Sequence, residues 1–209
     1  MKKTNTIVAG ILIASMAFGI AGCSLFKKDR ITHENFCAAL EKIGAEDTDD
    51  LEDLYTPISQ MYVEEEDGIY FTSEDDDDAQ EVYDVFFNRF NQHSDADIEK
   101  STIYYYANHE EKSQILIFVF TFEKEKKAQK VFDELDENIS EDDNSDSGKI
   151  DEYEYSISYS EEGIRSFADG LYISGNNLIY IRSLSNTGEG LDRIDDIVKE
   201  MDIISPCDL

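Results

Sequence analysis

The sequence predicts a single α+β domain, and three observations indicate it. Residues 153 to 159 alternate between apolar and polar side chains, as in a half-buried strand. Val82, Tyr83 and Phe86 recur at the spacing of one helical face. The chain has 209 residues, of which 41% are hydrophobic, which is enough to bury a sizeable core.

An internal repeat refines this fold class. An offset of 49 residues aligns 71–106 with 120–155, with eleven identities over 36 aligned positions. Each copy reads strand, helix, strand, and the joined order β-α-β-β-α-β resembles the ferredoxin-like arrangement. We therefore predict two βαβ repeats that form a ferredoxin-like antiparallel sheet with both of their helices on one face. An N-terminal helix and a C-terminal extension of a hairpin and a helix complete the predicted fold.

The elements are predicted in chain order from caps and spacing. Thr32 can cap a helix that Gly44 ends, and a polar stretch from Glu46 to Asp67 follows, with Pro57 as a breaker. The repeat then supplies its strands and helices, and a last helix follows a hairpin. The predicted ranges after the polar stretch are strand 69–72, helix 79–90, strand 103–107, strand 114–122, helix 128–139, strand 153–159, hairpin 170–183 and helix 191–201.

The segment 115–120 is apolar on both faces, which predicts a central strand in a sheet covered on both sides. The two helices of the repeat can cover only one side. The other cover is the N-terminal helix, the C-terminal helix or a partner, and a homodimer through the open face stays among these alternatives.

The first residues of the chain have the pattern of an export signal. Lys2 and Lys3 precede an uncharged, largely apolar run from Ile7 to Ala21, which is shorter than the roughly 20 residues of a membrane-spanning helix. This pattern predicts a signal peptide over residues 1–22. The alternatives are an ordinary secretory signal with an incidental cysteine and an uncleaved anchor.

The run ends in Ile20-Ala21-Gly22-Cys23, which resembles the lipobox of bacterial lipoproteins at all four positions. The resemblance implies a diacylglyceryl group on the Cys23 sulfur, cleavage before Cys23 and a palmitate-type anchor. It also implies a lipidated tether over 23–31, ahead of a single α+β domain over 32–209. In composition and architecture this domain resembles those of small lipoproteins of Firmicute-type Gram-positive bacteria, a likeness that implies location and not activity.

Function is predicted from location and charge. The resemblance implies attachment to the lipid bilayer through acylated Cys23, on the extracytoplasmic face of the cell membrane. A formal charge of -30, from 48 acidic and 18 basic residues, excludes a phosphate-neutralising patch, so no nucleic-acid partner is predicted. The sequence has no nucleophile elbow, HExxH motif or phosphate-binding glycine loop. We predict no enzyme, but a non-catalytic interaction or accessory module with an unidentified protein partner.

One acidic segment nearly matches a calcium-binding loop. If Ser147 is omitted, Asp142, Asn144, Asp146 and Glu154 fall at ligand positions of such a loop. The alternative function is therefore a calcium-responsive or small-ligand-binding surface lipoprotein, with Ca²⁺ as the one candidate cofactor. The competing interpretation is a solvated acidic loop over 141–148.

Other candidate residues have structural explanations beside functional ones. Cys37 and Cys207 either form a disulfide, as two thiols outside the cytoplasm can, or remain a buried and an exposed free thiol. The three histidines are predicted to lie at the surface. Five tyrosines form either a ligand-stacking ladder or ordinary cross-strand packing pairs. The histidines are His33, His93 and His109, and the tyrosines are Tyr104, Tyr106, Tyr153, Tyr155 and Tyr159.

Overall fold

A computed structural model describes residues 29–61, 67–87, 96–110, 112–186 and 191–209. The predicted signal peptide and Cys23 lie outside these residues. The helices are α1 (His33–Ile43), α2 (Glu52–Gln60), α3 (Asp76–Glu81), α4 (Glu125–Ile139) and α5 (Asp192–Glu200). The strands are β1 (Glu46–Thr48), β2 (Ile69–Ser73), β3 (Ile98–Asn108), β4 (Ser113–Phe122), β5 (Ser145–Ile150), β6 (Tyr153–Glu162), β7 (Arg165–Ser174) and β8 (Asn177–Ser185). A π-helical turn (Val82–Phe87) extends α3, and a 3₁₀ turn (Pro206–Asp208) lies near the C-terminus.

The strands form one mixed sheet of eight, in the order β1-β2-β3-β4-β8-β7-β6-β5. Among these eight described strands, β1 and β2 pair in parallel and every other pair is antiparallel. The α+β class is confirmed, whereas the ferredoxin-like arrangement is not. In the first repeat, β2 and β3 are directly hydrogen-bonded antiparallel neighbours. In the second repeat, β4 and β6 are separated by β8 and β7.

The C-terminal hairpin lies in the middle of the sheet and is not an extension of it. Its strands β7 and β8 carry buried apolar side chains on both faces. Leu171 and Leu178 lie on one face, and Tyr172 and Ile179 lie on the other. A strand that is apolar on both faces is most stable between two neighbours and two covering layers. The hairpin therefore enters the sheet between β4 and β6.

One face of the sheet, here called the Phe-rich face, is covered by α2, α3 and α4. Phe87 from the π-helical turn meets Phe118 and Phe120 of β4 edge-on, with ring centroids 5.3 and 5.1 Å apart. Both helices of the repeat, α3 and α4, lie on this face, as predicted. The strand side chains that define the face are Phe71, Phe118, Phe120 and Phe122.

The opposite face, here called the Tyr-rich face, is covered by α1, α5 and the C-terminal segment. The sheet is thus covered on both sides, and the chain's own terminal helices provide the second layer. Phe36 and Leu40 of α1 and Ile197 of α5 are buried against it. The strand side chains that define the face are Tyr70, Tyr104, Tyr106, Tyr153 and Tyr172.

The termini of α1 match the sequence prediction. Thr32 has extended backbone angles, and its hydroxyl accepts a hydrogen bond from the Asn35 amide at 3.2 Å. Gly44 ends the helix with a φ of 84°, which a glycine adopts at little cost.

The polar stretch from Glu46 to Asp67 contains β1 and α2, and Pro57, predicted as a breaker, lies inside α2. Leu51, Leu54 and Ile58 are spaced along one side of this helix and pack into the core of the Phe-rich face. Burial of these side chains outweighs the one intrahelical hydrogen bond that Pro57 cannot donate.

Candidate functional site

The fold begins close to the predicted anchor. Ile31 is fully buried, and the Arg30 guanidinium lies 3.1 Å from Asp202 and 3.6 Å from Asp151. Asp29 Oδ1 accepts a hydrogen bond from the Ile31 amide at 3.0 Å. The first described residues, 29–31, were assigned to the tether but belong to the folded domain. Cys23 lies outside the described residues, so its lipidation stays a prediction.

The structure does not bring the four candidate calcium ligands together. Asp146 lies in β5, where its carboxylate accepts a hydrogen bond from the Tyr155 hydroxyl at 2.9 Å. Glu154 pairs with Lys149 at 2.8 Å. Because Asp146 lies opposite Ile157 and Lys149 opposite Glu154, Asp146 and Glu154 point to opposite faces of the sheet.

The two remaining candidate ligands lie in the turn that precedes β5. The Asn144 side-chain amide donates to the Tyr159 carbonyl at 3.1 Å, and the Asp142 carbonyl accepts from the Ser145 hydroxyl. Ligands of Ca²⁺ must converge on one point at about 2.3–2.6 Å, which this extended hairpin does not allow. Among the described residues, no three His, Cys, Asp or Glu side chains are placed to hold a metal ion.

Cys37 and Cys207 are both free thiols in the structure and do not form the disulfide that was one of the two interpretations. Cys37 Sγ lies on α1, 3.5 Å from the Thr72 hydroxyl. Cys207 lies in the C-terminal 3₁₀ turn, where burial, with a further contribution from Asp195, raises its thiol pKa to about 12. Cys207 is therefore protonated and weakly nucleophilic at neutral pH.

The histidines differ in environment. His33 is 5% exposed, which corrects its prediction as a surface residue. His109 is exposed in the turn between β3 and β4, as predicted. His93 lies outside the described residues.

His33 belongs to a small polar cluster between α1 and the sheet. Its Nδ1 lies 2.9 Å from the Thr102 hydroxyl, which is also 3.0 Å from the Thr72 hydroxyl and 3.9 Å from Cys37 Sγ. Burial lowers the pKa of His33 to about 4, so the imidazole is neutral at physiological pH. The sequence shows that His33 and Cys37 lie one helical turn apart, whereas the cross-strand pairing of Thr72 with Thr102 that completes the cluster is seen only in the structure.

The tyrosines of the predicted ladder are mostly packing residues. Tyr104, Tyr106 and Tyr153 are buried, and only Tyr155 and Tyr159 are partly exposed. The Tyr104 hydroxyl donates to the Asp67 carbonyl at 2.8 Å, and burial raises its pKa far above the usual range. Cross-strand packing therefore accounts for most of these side chains, as the second interpretation had it.

An acidic cavity of about 620 Å³ lies between α2 and α3. Tyr55 is 38% exposed, its ring centroid lies 5.0 Å from that of Phe86, and its hydroxyl donates a hydrogen bond to Glu81 at 2.8 Å. An aromatic face beside carboxylates can accept a cationic group. The carboxylates that line the cavity are Asp49, Asp50, Glu52, Asp78 and Glu81.

A second cleft, of about 450 Å³, lies between α1 and α5 and has charges of both signs. The Arg193 guanidinium lies 4.3 Å from the centre of the Tyr106 ring and donates to Asp67 at 2.8 Å. Lys42 of α1 forms an ion pair with Glu200 of α5. The Lys42 ion pair joins the two helices of the Tyr-rich face, and Arg193 joins α5 to β3 and to Asp67 ahead of β2, so the contacts of this cleft are structural.

Asp169 is a half-buried acid that no sequence pattern indicated. It is the cross-strand partner of both Ser158 and Arg182. Within the described part of the chain, its Oδ1 atom is buried without a hydrogen-bond partner. Burial raises its pKa to about 6, although Arg182 acts in the opposite direction. These neighbours come from the two strands that flank β7, so only the tertiary structure reveals the environment.

Among the described residues, no helix has the length and hydrophobicity needed to cross a membrane. No protein-family model matches the chain, and no curated protein sequence matches it.

Two solved structures show a remote similarity. The extracellular domain of PknH from Mycobacterium tuberculosis aligns with 49% of this chain at 10% identity and a TM-score of 0.32. The match spans 63% of that domain. A GTP binding regulator from Thermotoga maritima aligns with 71% of this chain and 83% of its own length, at 13% identity and a TM-score of 0.32.

Proposed function

We propose that the protein is a lipid-anchored interaction module on the extracytoplasmic face of the cell membrane. The observation that carries the proposal is the complete lipobox at Ile20 to Cys23, preceded by a basic n-region and a short apolar run. Two acyl chains on Cys23 give stable attachment, whereas one chain gives only marginal attachment. The domain is then anchored to the membrane without spanning it.

The start of the folded domain supports this proposal. Six residue steps separate Cys23 from Asp29, which an extended chain covers in at most about 20 Å. Arg30 and Ile31 are already fixed to the domain by ion pairs and burial. An anchor at Cys23 would therefore hold the acidic domain close to the lipid headgroups. Lys27 and Lys28 in this tether favour contact with an anionic leaflet. The rest of the chain is strongly acidic and is repelled by such a leaflet.

Metabolic labelling tests the anchor. Cells that express the full chain are grown with an alkyne-labelled palmitate, and the label on the purified protein is measured. We expect strong labelling of the unmodified chain and of Cys37→Ser and Cys207→Ser, and loss of the label in Cys23→Ser. A label that persists in Cys23→Ser contradicts the proposal.

Protease treatment of intact cells tests the membrane face. We expect an external protease to digest the wild-type protein while a cytoplasmic marker stays intact. The Cys23→Ser variant should leave the membrane fraction. Wild-type protein that resists external protease until the cells are lysed would place the domain in the cytoplasm and contradict the proposal.

Site-specific crosslinking tests the interaction role. A photoreactive phenylalanine analogue replaces Tyr55 or Ile164, which are 38% and 74% exposed. The same analogue at Thr56, beside Tyr55 on α2, serves as a local control for geometry. A surface that binds a partner gives a discrete crosslinked species at one position and little at the others. Diffuse, equally weak crosslinks at all three positions contradict an interaction role for these surfaces.

A further inference from the structure

We propose that protonation of His33 releases the N-terminal end of α1 from the Tyr-rich face, so that this helix responds to acidification while the rest of the domain stays folded. His33 is the first residue of α1 and is 5% exposed. Its Nδ1 bonds to Thr102 of β3, and in the described part of the chain its Nε2 has no hydrogen-bond partner. In the docked position, the Nε2–H of a protonated imidazole would therefore have no hydrogen-bond acceptor among the described residues.

Two physical effects oppose a charged imidazole at this position. Burial disfavours the cation because the site cannot replace its hydration. The N-terminus of a helix also carries a partial positive charge, which repels a cation within the first turn. Release of the helix end relieves both effects, since the imidazolium then reaches water and moves away from the sheet.

The charged groups around His33 do not remove this preference. Glu34 on α1 and Glu74 after β2 favour the protonated form, whereas Lys100 on β3 opposes it. A second titratable group on α1 is the Cys37 thiol, which contacts the same Thr102 hydroxyl. Burial is the largest influence, and it lowers the pKa of His33 from 6.5 to about 4. At the far end of α1, the Lys42 ion pair with Glu200 of α5 holds the helix to the domain.

The direction of the pH effect follows from proton linkage. The released helix binds a proton at the ordinary pKa of 6.5 and the docked helix at about 4. Docking is therefore fully favourable above pH 6.5 and weakens as the pH falls through the interval between these values. At pH 5 the released population should rise about 30-fold relative to pH 7.5.

Amide hydrogen exchange of the full chain at pH 7.5 and pH 5 tests the proposal. Rates for peptides that cover α1 (His33–Ile43) and α4 (Glu125–Ile139) are divided by the intrinsic exchange rate at each pH. We expect protection of α1 to fall about 30-fold at pH 5, while protection of α4 changes by less than about threefold. An equal fall in both helices indicates global unfolding and overturns the proposal, as does unchanged protection of α1.

Two variants locate the effect. His33→Gln keeps hydrogen-bonding groups but cannot take up a proton in this range, so we expect the pH dependence of α1 to disappear. His109→Gln, at the exposed histidine, should behave as the wild type. If His33→Gln shows the wild-type pH dependence, the proposal is wrong.

A measurement on the unmodified protein covers the case in which His33→Gln does not fold. Nuclear magnetic resonance titration of the imidazole Cε1 protons follows the protonation of each histidine separately. The docked His33 should stay neutral to below pH 5. A His33 that titrates near pH 6.5 while α1 stays protected overturns the proposal without any variant.

Discussion

The two faces of the sheet fix their covering layers by different means. On the Phe-rich face, rings from the π-helical turn after α3 interlock with rings of β4, as in the edge-on contacts of Tyr83 and Phe87 with Phe120. On the Tyr-rich face, hydroxyl groups at the ends of buried rings bond to backbone atoms of peripheral segments. Tyr172 donates to the Ile204 carbonyl at 2.8 Å, and Tyr153 accepts from the Ile204 amide at 3.3 Å.

The comparison shows that the two faces of one sheet can hold their covering segments by different interactions, by ring packing on one face and by hydroxyl hydrogen bonds on the other. A phenylalanine ring stabilises the fold only through burial and packing, so the neighbouring side chains must be complementary to it in shape. A buried tyrosine needs a partner for its hydroxyl and can therefore fasten a segment that has little apolar surface of its own. Replacing one contact at a time on each face tests this distinction.

The largest effect is expected on the Phe-rich face from Phe120→Ala. Phe120 is fully buried and contacts Tyr83, Phe87 and Phe118. Its truncation should lower the free energy of unfolding by about 3–5 kcal/mol, measured by chemical denaturation. Phe167→Ala, at a half-buried position, is the matched control and should cost clearly less. Equal losses at both positions would contradict the interlocked layer.

A smaller loss is expected on the Tyr-rich face from Gly68→Ala. Gly68 has a φ of 90°, and an added Cβ would lie 2.8 Å from the Tyr104 hydroxyl and 2.9 Å from the Tyr105 carbonyl oxygen. We expect a loss of about 2–4 kcal/mol from backbone strain and displacement of Tyr104. Gly163→Ala, with a φ of 70° and open space around it, should show only the backbone part. If Gly68→Ala and Gly163→Ala lower the free energy of unfolding equally, displacement of Tyr104 does not contribute to the loss.

A single hydroxyl is tested by Tyr172→Phe. The change removes the donor to the Ile204 carbonyl and leaves that carbonyl without this bond. The free energy of unfolding should fall by about 1–3 kcal/mol, and amide exchange near the C-terminus should accelerate. Tyr155→Phe removes an exposed hydroxyl bond to Asp146 and should cost less than about 0.5 kcal/mol. If the two changes are equivalent, the hydroxyl does not fasten the C-terminal segment.

The smallest effect concerns the half-buried acid of the Phe-rich face. Burial raises the pKa of Asp169 from 3.8 to about 6, so its contribution to stability is greatest below the lower value and is lost as the pH rises through the higher one. At pH 7.5 we expect Asp169→Asn to be more stable than the wild type by about 1–2 kcal/mol, because the neutral amide avoids the buried charge. At pH 4 the difference should be close to zero.

Chemical denaturation at the two pH values measures this difference. A wild type that is the more stable protein at pH 7.5 would mean that attraction to Arg182 outweighs the cost of burial. If Asp169→Asn is the more stable protein at pH 7.5, as expected, the two faces also differ in the sign of their pH response, because acidification weakens docking at His33 and relieves the buried charge at Asp169.

The features that the sequence predicted correctly depend on residues that are close together in the chain. The caps of α1 at Thr32 and Gly44, the hairpin of β7 and β8 and the central position of β4 depend on neighbouring residues or on the two faces of one strand. The repeat also had a physical basis, since Phe71 and Phe120, and Ala79 and Ala128, are equivalent buried positions on the Phe-rich face. The anchor proposed at Cys23 is inferred from the sequence alone.

Only the tertiary structure decided which strands became neighbours and which polar groups were buried. Strand, helix, strand is compatible with several pairings, and the insertion of β7 and β8 between β4 and β6 depended on apolar surface that distant segments share. The same holds for α2, whose buried side outweighs Pro57, and for the environments of His33 and Asp169. Burial is a property of the assembled layers, and no window of the sequence contains the neighbours that create it.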